Sequence, residues 1–323
     1  MSNAIRIHTH GGPETLKWEQ VPTPRPGPNE ALIRHQAIGL NFIDVYFRTG
    51  LYKAALPATL GMEGAGEVIA IGEAVKNVAP GDRVAYAGGA LGAYATERVI
   101  NAEKLVKLPD EIDFKTAASM MLQGLTAYFL LHRTYKVQPG QTILVHAAAG
   151  GVGQILCQWA RHLGSHVIAV VSSDTKAEIA RANGAAHTIV GYKNLPAEVR
   201  RLTNGAMVPV VYDGVGRDTF DISLDCLAPL GLMVSFGNAS GPVPPFDLAT
   251  LNAKGSLFLT RPSLSSYMAT RQELVTGSSA LFDAVLSGAI KINIGQTFPL
   301  EQAALAHAAL EARQTTGSTV LLP

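Results

Sequence analysis

The chain has 323 residues, 47% of them hydrophobic and only 16% charged, with a formal net charge of +1. That length supports two domains with cores of their own. The lack of any basic run or stripe argues against a dedicated nucleic-acid or anionic-membrane binder, and no apolar run approaches the roughly 18 residues that span a bilayer.

The opening MSNAIRIHTHGG reads as a strand and not as a signal peptide, so a cytoplasmic protein is expected. From Ala4 to about Leu122 the text is rich in β patterns broken by turns. Strands are predicted at Ala31 to Ile38, Gly66 to Ile71, Arg83 to Ala87 (after the turn Pro80-Gly81-Asp82) and Tyr94 to Ile100. Short strands with few helices imply a small barrel-like β domain. The pattern changes near Phe114, and Thr116 to Tyr135 reads as a long apolar helix or helix pair.

The most informative stretch follows, GQTILVHAAAGGVGQILCQWAR, from Gly140 to Arg161. Thr142 to His146 suits a buried parallel strand. Ala148, Gly150 and Gly153 then occupy the three positions of a G-x-G-x-x-G/A spacing, with alanine at the first. Small residues let backbone approach a pyrophosphate, and the last glycine lets the next helix, roughly Val152 to Leu163, pack on the strand. That helix points its amide donors at the phosphates, so Gly150, Gly151 and Val152 are cofactor-binding candidates.

Strand and helix alternate from there: strands are predicted at His166 to Val171, His187 to Val190, Val208 to Tyr212, Leu230 to Phe236 and Ser256 to Leu259. This alternation implies a doubly wound parallel sheet. Where a carboxylate would bind the ribose hydroxyls of NAD, the second strand ends in Ser172-Ser173, with Lys176 one short turn later. Hydroxyls and an ammonium suit a 2′-phosphate, so NADP(H) is the expected cofactor, against the objection of nearby Asp174. Tyr192, after the third strand, can flank the adenine or donate to the phosphate.

After Pro262 come a helix (Arg271 to Leu286), a strand-like IKINI, a helix (Leu300 to Arg313) and a terminal strand, Thr319 to Leu322. The parallel sheet already has its strands, so this tail is expected to return to the first domain. The expected division is therefore 1–122 with 265–323, and 123–264, with the cofactor cleft between the two. Cys157 and Cys226 lie in apolar helical patterns and read as buried thiols. Met62 stands in Gly61-Met62-Glu63-Gly64-Ala65-Gly66 where an imidazole would be useful to a metal, and the histidines show no ligand spacing, so no metal is expected.

These residues together resemble the zinc-independent quinone oxidoreductase branch of the medium-chain dehydrogenase/reductase superfamily. The likeness runs from HGGPE to the terminal GSTVLLP, through Gly39-Leu40-Asn41-Phe42-Ile43-Asp44, the GMEGAG block, Ala148-Ala149-Gly150-Gly151, Tyr212-Asp213-Gly214-Val215-Gly216 and Met233-Val234-Ser235-Phe236-Gly237-Asn238. The resemblance implies a GroES-like barrel domain joined to a Rossmann domain, and a homodimer paired through the Rossmann sheet edges. It implies cofactor contacts at Asn41, Tyr46, Gly150, Gly151, Val152, Ser172, Ser173, Lys176, Tyr192, Phe236, Gly237, Asn238, Ser240 and Arg313. Gly214 departs from relatives that often carry serine there.

The implied activity is NADPH-dependent reduction of quinones to hydroquinones or semiquinones. Negative charge forms on a ring oxygen, which a hydrogen-bond donor stabilises, and no acid/base dyad is needed. Asn41 and Tyr46 are the leading candidates for that contact, with Tyr52 a third; Asp44 is read as a cap or turn residue in preference to a catalytic acid. Gln123 and Thr126 are expected to line the nicotinamide pocket. Arg313 can clamp a phosphate, and Arg261 can reach the cleft mouth or join the domains. Two other functions stay open: an NADPH-dependent reductase of α,β-unsaturated carbonyls or enoyl thioesters, and a low-turnover NADPH-binding or nucleic-acid-binding protein.

Overall fold

The computed structural model describes every residue from Met1 to Pro323. The backbone divides into two units, Met1–Leu125 with Met268–Leu286 and Ile292–Pro323, and Thr126–Tyr267 with Ser287–Lys291. In chain order the strands are β1 (Ser2–Ile7), β2 (Lys17–Val21), β3 (Glu30–Leu40), β4 (Ala58–Thr59), β5 (Glu63–Ile71), β6 (Arg83–Ala87), β7 (Glu97–Asn101) and β8 (Val106–Lys107) in the first unit. The second unit holds β9 (Thr142–His146), β10 (His166–Val171), β11 (His187–Val190), β12 (Val208–Asp213), β13 (Leu227–Ser235) and β14 (Phe258–Thr260). The chain then returns to the first unit with β15 (Ile294–Pro299) and β16 (Ser318–Leu322).

In the first unit β3 is the hub. It pairs antiparallel with β5, β7 and the terminal β16, within a seven-stranded sheet ordered β15-β16-β3-β5-β6-β8. A three-stranded sheet, β2-β1-β4, completes the β framework. Ile33, Ile38, Val84, Tyr86, Tyr94, Leu105 and Leu321 pack into one buried core. The return of β16 is fixed by this burial, since Val320 and Leu321 are fully enclosed and Thr319, Val320 and Leu321 are opposite Leu40, Gly39 and Ile38.

The second unit carries a six-stranded sheet in the order β11-β10-β9-β12-β13-β14 with every pair parallel. Its central strands read TILVH, HVIAVV and VPVVYD because a sheet covered on both faces buries both sides of each strand. Strand order reverses between β9 and β12, which is the switch point where such sheets open a crevice. Four helices frame the regions of interest: α1 (Phe42–Thr49), α2 (Phe114–Phe129), α3 (Gly151–His162) and α4 (Asp174–Ala182).

One local expectation is refined and one corrected. The predicted helix Thr116 to Tyr135 is α2 followed by a π turn, Leu130–Thr134, where the Leu130 carbonyl accepts from the Tyr212 hydroxyl at 3.0 Å as well as from the backbone. The IKINI segment is not a strand until Ile294, because the Lys291 backbone is claimed by a side chain: its N–H donates to Gln158 Oε1 at 2.8 Å and its carbonyl accepts from Gln158 Nε2 at 3.1 Å.

Leu321→Ala empties a fully buried site on β16. We expect a loss of about 2–5 kcal/mol in urea unfolding of the first unit, without change in the parallel-sheet signal of the second.

Candidate active site

The second unit presents five loops at the carboxyl ends of β9 to β13. After β9, Ala147 takes a left-handed φ of 50°, and Gly150 caps α3. A Cβ on Gly153 would lie 2.6 Å from Ala148 Cα and against the Ala147 carbonyl, so only glycine lets α3 sit on the strand end. A Cβ on Gly150 would meet only Ala147 O, at 3.2 Å, which leaves the surface of the turn open. The first amides of α3, at Gly151 and Val152, have no partner within the helix and face a site suited to an anion.

After β10, Ser172 is exposed and Ser173 caps α4, its Oγ accepting from Lys176 N at 3.3 Å. Its hydroxyl proton remains for an outside acceptor. Asp174, the residue that spoke for NAD, is the exposed first residue of α4. Tyr192 follows β11, with its ring 5.9 Å from that of His146. Burial lowers the His146 pKa, and Nε2 pairs with Ser223 Oγ at 2.8 Å.

The loops after β12 and β13 are built on each other. Asp213 Oδ1 accepts from Val215 N (2.7 Å) and Gly216 N (3.1 Å), and Oδ2 from Thr219 Oγ1 (2.7 Å). Backbone meets backbone at Gly237, where a Cβ would be 2.8 Å from Gly214 Cα. At Gly214 a Cβ would lie 3.0 Å from the Phe236 ring, so the ring tip holds the space that a serine side chain would need. Ser240 closes the arrangement, donating to Val215 O (2.9 Å) and accepting from Asp218 N (3.0 Å). Its hydroxyl proton is thus already engaged. Arg261 supports the same turn, with Nη1 donating to Ser235 O (2.8 Å) and Gly237 O (3.0 Å), next to Asn238.

The first unit gathers Asn41, Tyr46, Tyr52 and Gln123. Asn41 caps α1, and its N–H donates to Asp44 Oδ2 at 2.9 Å, so Asp44 is the capping carboxylate of this helix. Tyr46 and Tyr52 pack edge to face with centroids 5.2 Å apart. Asn41 Nδ2 donates to Glu63 Oε2 (2.6 Å), Gln123 Nε2 to Asn41 Oδ1 (3.2 Å), and Leu122 N to Glu63 Oε1 (2.7 Å). Gly39 is required beside them, since a Cβ there would press on the Ala118 carbonyl and reach 2.7 Å from Glu63 Cδ. Arg313 follows the helix Ala303–Glu311 and has a left-handed φ of 58°. Thr126 is buried in the second unit's share of α2.

Sequence reasoning missed the polar chain behind Asn41. Asp44 accepts from the Tyr94 hydroxyl at 3.0 Å; that oxygen lies 3.0 Å from His307 Nε2, and His307 Nδ1 is 3.2 Å from Arg48 Nη1. Arg48 Nη2 donates to Glu311 at 2.8 Å, and Arg48 is fully buried. One proton pattern satisfies the chain: Arg48 donates to Nδ1, Nε2–H donates to Tyr94, and Tyr94 donates to Asp44. It requires a neutral imidazole, and burial, with the Arg48 charge, lowers the His307 pKa to about 3. Burial likewise pushes Asp44 up to about 7 and Glu63 up to about 8. Glu63 had been visible only as a member of the GMEGAG block. Its small neighbours were the available signal, since they allow a carboxylate to be enclosed. No three His, Cys, Asp or Glu side chains cluster as a metal centre would need.

A parallel sheet in this order with a glycine turn at its switch point, joined to a strand-rich unit that gathers polar side chains, defines a dinucleotide-dependent dehydrogenase or reductase. Residues 27–110 match the alcohol dehydrogenase GroES-like domain, and residues 151–279 match the zinc-binding dehydrogenase family. The quinone oxidoreductase of Pseudomonas aeruginosa is 54% identical over the full length of both chains. The structure of Escherichia coli quinone oxidoreductase, complexed with NADPH, aligns with a TM-score of 0.98 at 48% identity, covering 99% of this chain and 100% of that one. A 2-haloacrylate reductase of a Burkholderia species is 45% identical over 100% of this chain and 99% of its own. The chain belongs to the quinone oxidoreductase family, with a GroES-like domain and a Rossmann domain.

The buried carboxyls fix a pH dependence. Raised folded values mean that the folded chain binds more protons than the unfolded one from about pH 4 upward, so their stabilising effect is full in acid and is lost as pH rises through about 7 and 8. His35 and His307, both lowered to about 3, act oppositely and lose their contribution as pH falls below the ordinary histidine value. Between about pH 4.5 and 6.5 the two effects cancel, so thermal stability should form a plateau there and fall on either side. In Asp44→Asn the decline on the alkaline side should be shallower than in the parent.

Proposed function

We propose that this chain is a metal-independent NADPH:quinone oxidoreductase. The observation that carries the cofactor choice is the end of β10, where Ser172, Ser173 and Lys176 occupy the ground on which an NAD enzyme places a carboxylate. The donor set fits the group. Gly151 and Val152 amides would hold the pyrophosphate, Ser172, Ser173 and Lys176 the 2′-phosphate, and Tyr192 would flank the adenine. In the second unit Phe236, Gly237, Asn238 and Thr126 would contact the nicotinamide and its ribose, with Ser240 bracing the turn that follows Phe236; in the first unit Asn41 and Gln123 are proposed as further cofactor contacts. Arg313 would meet a phosphate. When bound, NADPH would supply two electrons and one proton, as a hydride, to the quinone.

The chain's own residues position the reactants and donate hydrogen bonds. Asn41 is held by Glu63 and Gln123, so its remaining amide N–H needs no rearrangement to reach an oxygen that gains charge. Tyr46 and Tyr52 offer hydroxyls and ring faces to a flat quinone. Solvent water protonates the product oxygen. The absence of a ligand cluster in the donor set, with Met62 in the GMEGAG block, supports a reaction without zinc.

A second reading, reduction of an electron-poor carbon–carbon double bond, is favoured by the likeness to a 2-haloacrylate reductase. Assembly as a homodimer through β14 is supported by Phe258, Leu230 and Leu248, which are 59%, 66% and 71% exposed. No helix is long and apolar enough to cross a membrane. The two free thiols, both buried, suit the reducing cytoplasm.

Purified protein should oxidise NADPH with p-benzoquinones and naphthoquinones faster than with 2-haloacrylates or alkenals at equal concentration. Turnover of the double-bond substrates alone would select the second reading, and no turnover with either would remove both. Lys176→Ala should raise KM for NADPH by roughly tenfold to a hundredfold, the worth of a charged hydrogen bond, and leave KM for NADH unchanged.

A further inference from the structure

Four buried side chains of the first unit form one directed line of hydrogen bonds. The Ser318 hydroxyl lies 2.8 Å from Gln123 Oε1 and 2.9 Å from the Ser119 carbonyl. Gln123 donates to Asn41, Asn41 donates to Glu63, and the second carboxyl oxygen accepts from Leu122 N. Ser318, Gln123, Asn41 and Glu63 are each more than nine-tenths buried, so water does not compete for these contacts.

An amide turned over by half a rotation fills the same space with donor and acceptor exchanged. Asn41 and Gln123 therefore have two arrangements of equal shape. Ser318 accepts both, because its hydroxyl can donate to Gln123, or accept from Gln123 while donating to Ser119. Glu63 alone breaks the tie, since an ionised carboxylate can only accept.

We propose that Glu63 is a positioning residue whose charge sets the direction of this line and so decides where Asn41 presents its spare N–H. With Glu63 ionised, Nδ2 of Asn41 faces Glu63. When Oε2 gains a proton, that O–H donates to Asn41 Oδ1 while Oε1 continues to accept from Leu122 N. Asn41 then donates to Gln123 Oε1, Gln123 to Ser318 Oγ, and Ser318 to the Ser119 carbonyl. The donor and the acceptor of the Asn41 amide exchange places, and no side chain leaves its position. Burial places this titration at about pH 8.

The titratable groups that face Glu63 are few. Asp44, on α1, is held near 7 by burial, and its charge pushes Glu63 upward. Tyr86 on β6 and Tyr94 after it are phenols that burial raises above their ordinary value, so they stay neutral across this range. Asp44 is thus the one neighbour that titrates nearby. The consequence for turnover rests on the proposed reading of Asn41 as a contact to cofactor or substrate.

Glu63→Gln tests the proposal, because the introduced amide must turn its oxygen to Leu122 N and its nitrogen to Asn41 Oδ1, which locks the reversed line at every pH. With saturating NADPH, wild-type kcat/KM for a quinone should show a step near pH 8 of roughly threefold to tenfold, about one hydrogen bond's worth. Glu63→Gln should show no step and keep the ratio that the wild type has below it, and Asp44→Asn should keep the step but move it to lower pH. In parallel, side-chain amide resonances of Asn41 and Gln123 in 15N-labelled wild-type protein should shift together across the same pH range. A step of undiminished size in Glu63→Gln, or amide resonances in the wild type that do not titrate, would overturn the proposal. Quinone turnover absent from the wild type while the amide pair still titrates would instead defeat the proposed function and leave the positioning role of Glu63 standing.

Discussion

Close approach of backbone to backbone at the carboxyl ends of the parallel strands is the constraint on which the second unit depends. Gly153 allows α3 to press on the end of β9, and Gly237 allows the loop after β13 to lie on Gly214. A side chain at either position would push the loops apart and remove the open surface over the Gly150 turn. The same constraint explains why polar side chains at these loop bases bond inward. Asp213, Ser240 and Arg261 are engaged by backbone groups, so the loops are braced by their own contacts.

The first unit solves a different problem, that of keeping polar chemistry inside a hydrophobic core. Two of the carboxyls there are tied into chains of partners, although Asp44 Oδ1 itself accepts from no group. Asp44 is tied through Tyr94 and His307 to Arg48, and Glu63 through Asn41 and Gln123 to the terminal strand. A buried polar network is stabilising only if its members are satisfied, so the neutral state of His307 and the raised carboxyl values are parts of one arrangement. Residues near both ends of the sequence meet in it, which gives the return of the chain to the first sheet a chemical purpose as well as a packing one.

The parts of this molecule that were legible in the sequence are those where geometry admits few residue types. The glycine turn after β9, the apolar parallel strands and the serines after β10 each announce a backbone or charge requirement. Asp44 was readable as a cap because its spacing from Asn41 is that of a capping box. Other features depend on partners distant in sequence. Nothing in IKINI signals that Gln158 will occupy the Lys291 backbone, and nothing near Arg261 signals that its guanidinium will bind the Ser235 and Gly237 carbonyls. Glu63, Tyr94, His307 and Ser318 each look unremarkable alone; their meaning comes from a fold that brings positions 48, 63, 94, 123, 307 and 318 into bonded chains.

Cofactor choice is the claim from which the proposed activity follows, and calorimetric titration of the protein with NADPH and with NADH measures it without any assumption about substrate. The hydroxyls and the ammonium after β10 predict association with NADPH at least roughly tenfold tighter. Equal affinities, or tighter binding of NADH, would contradict the account.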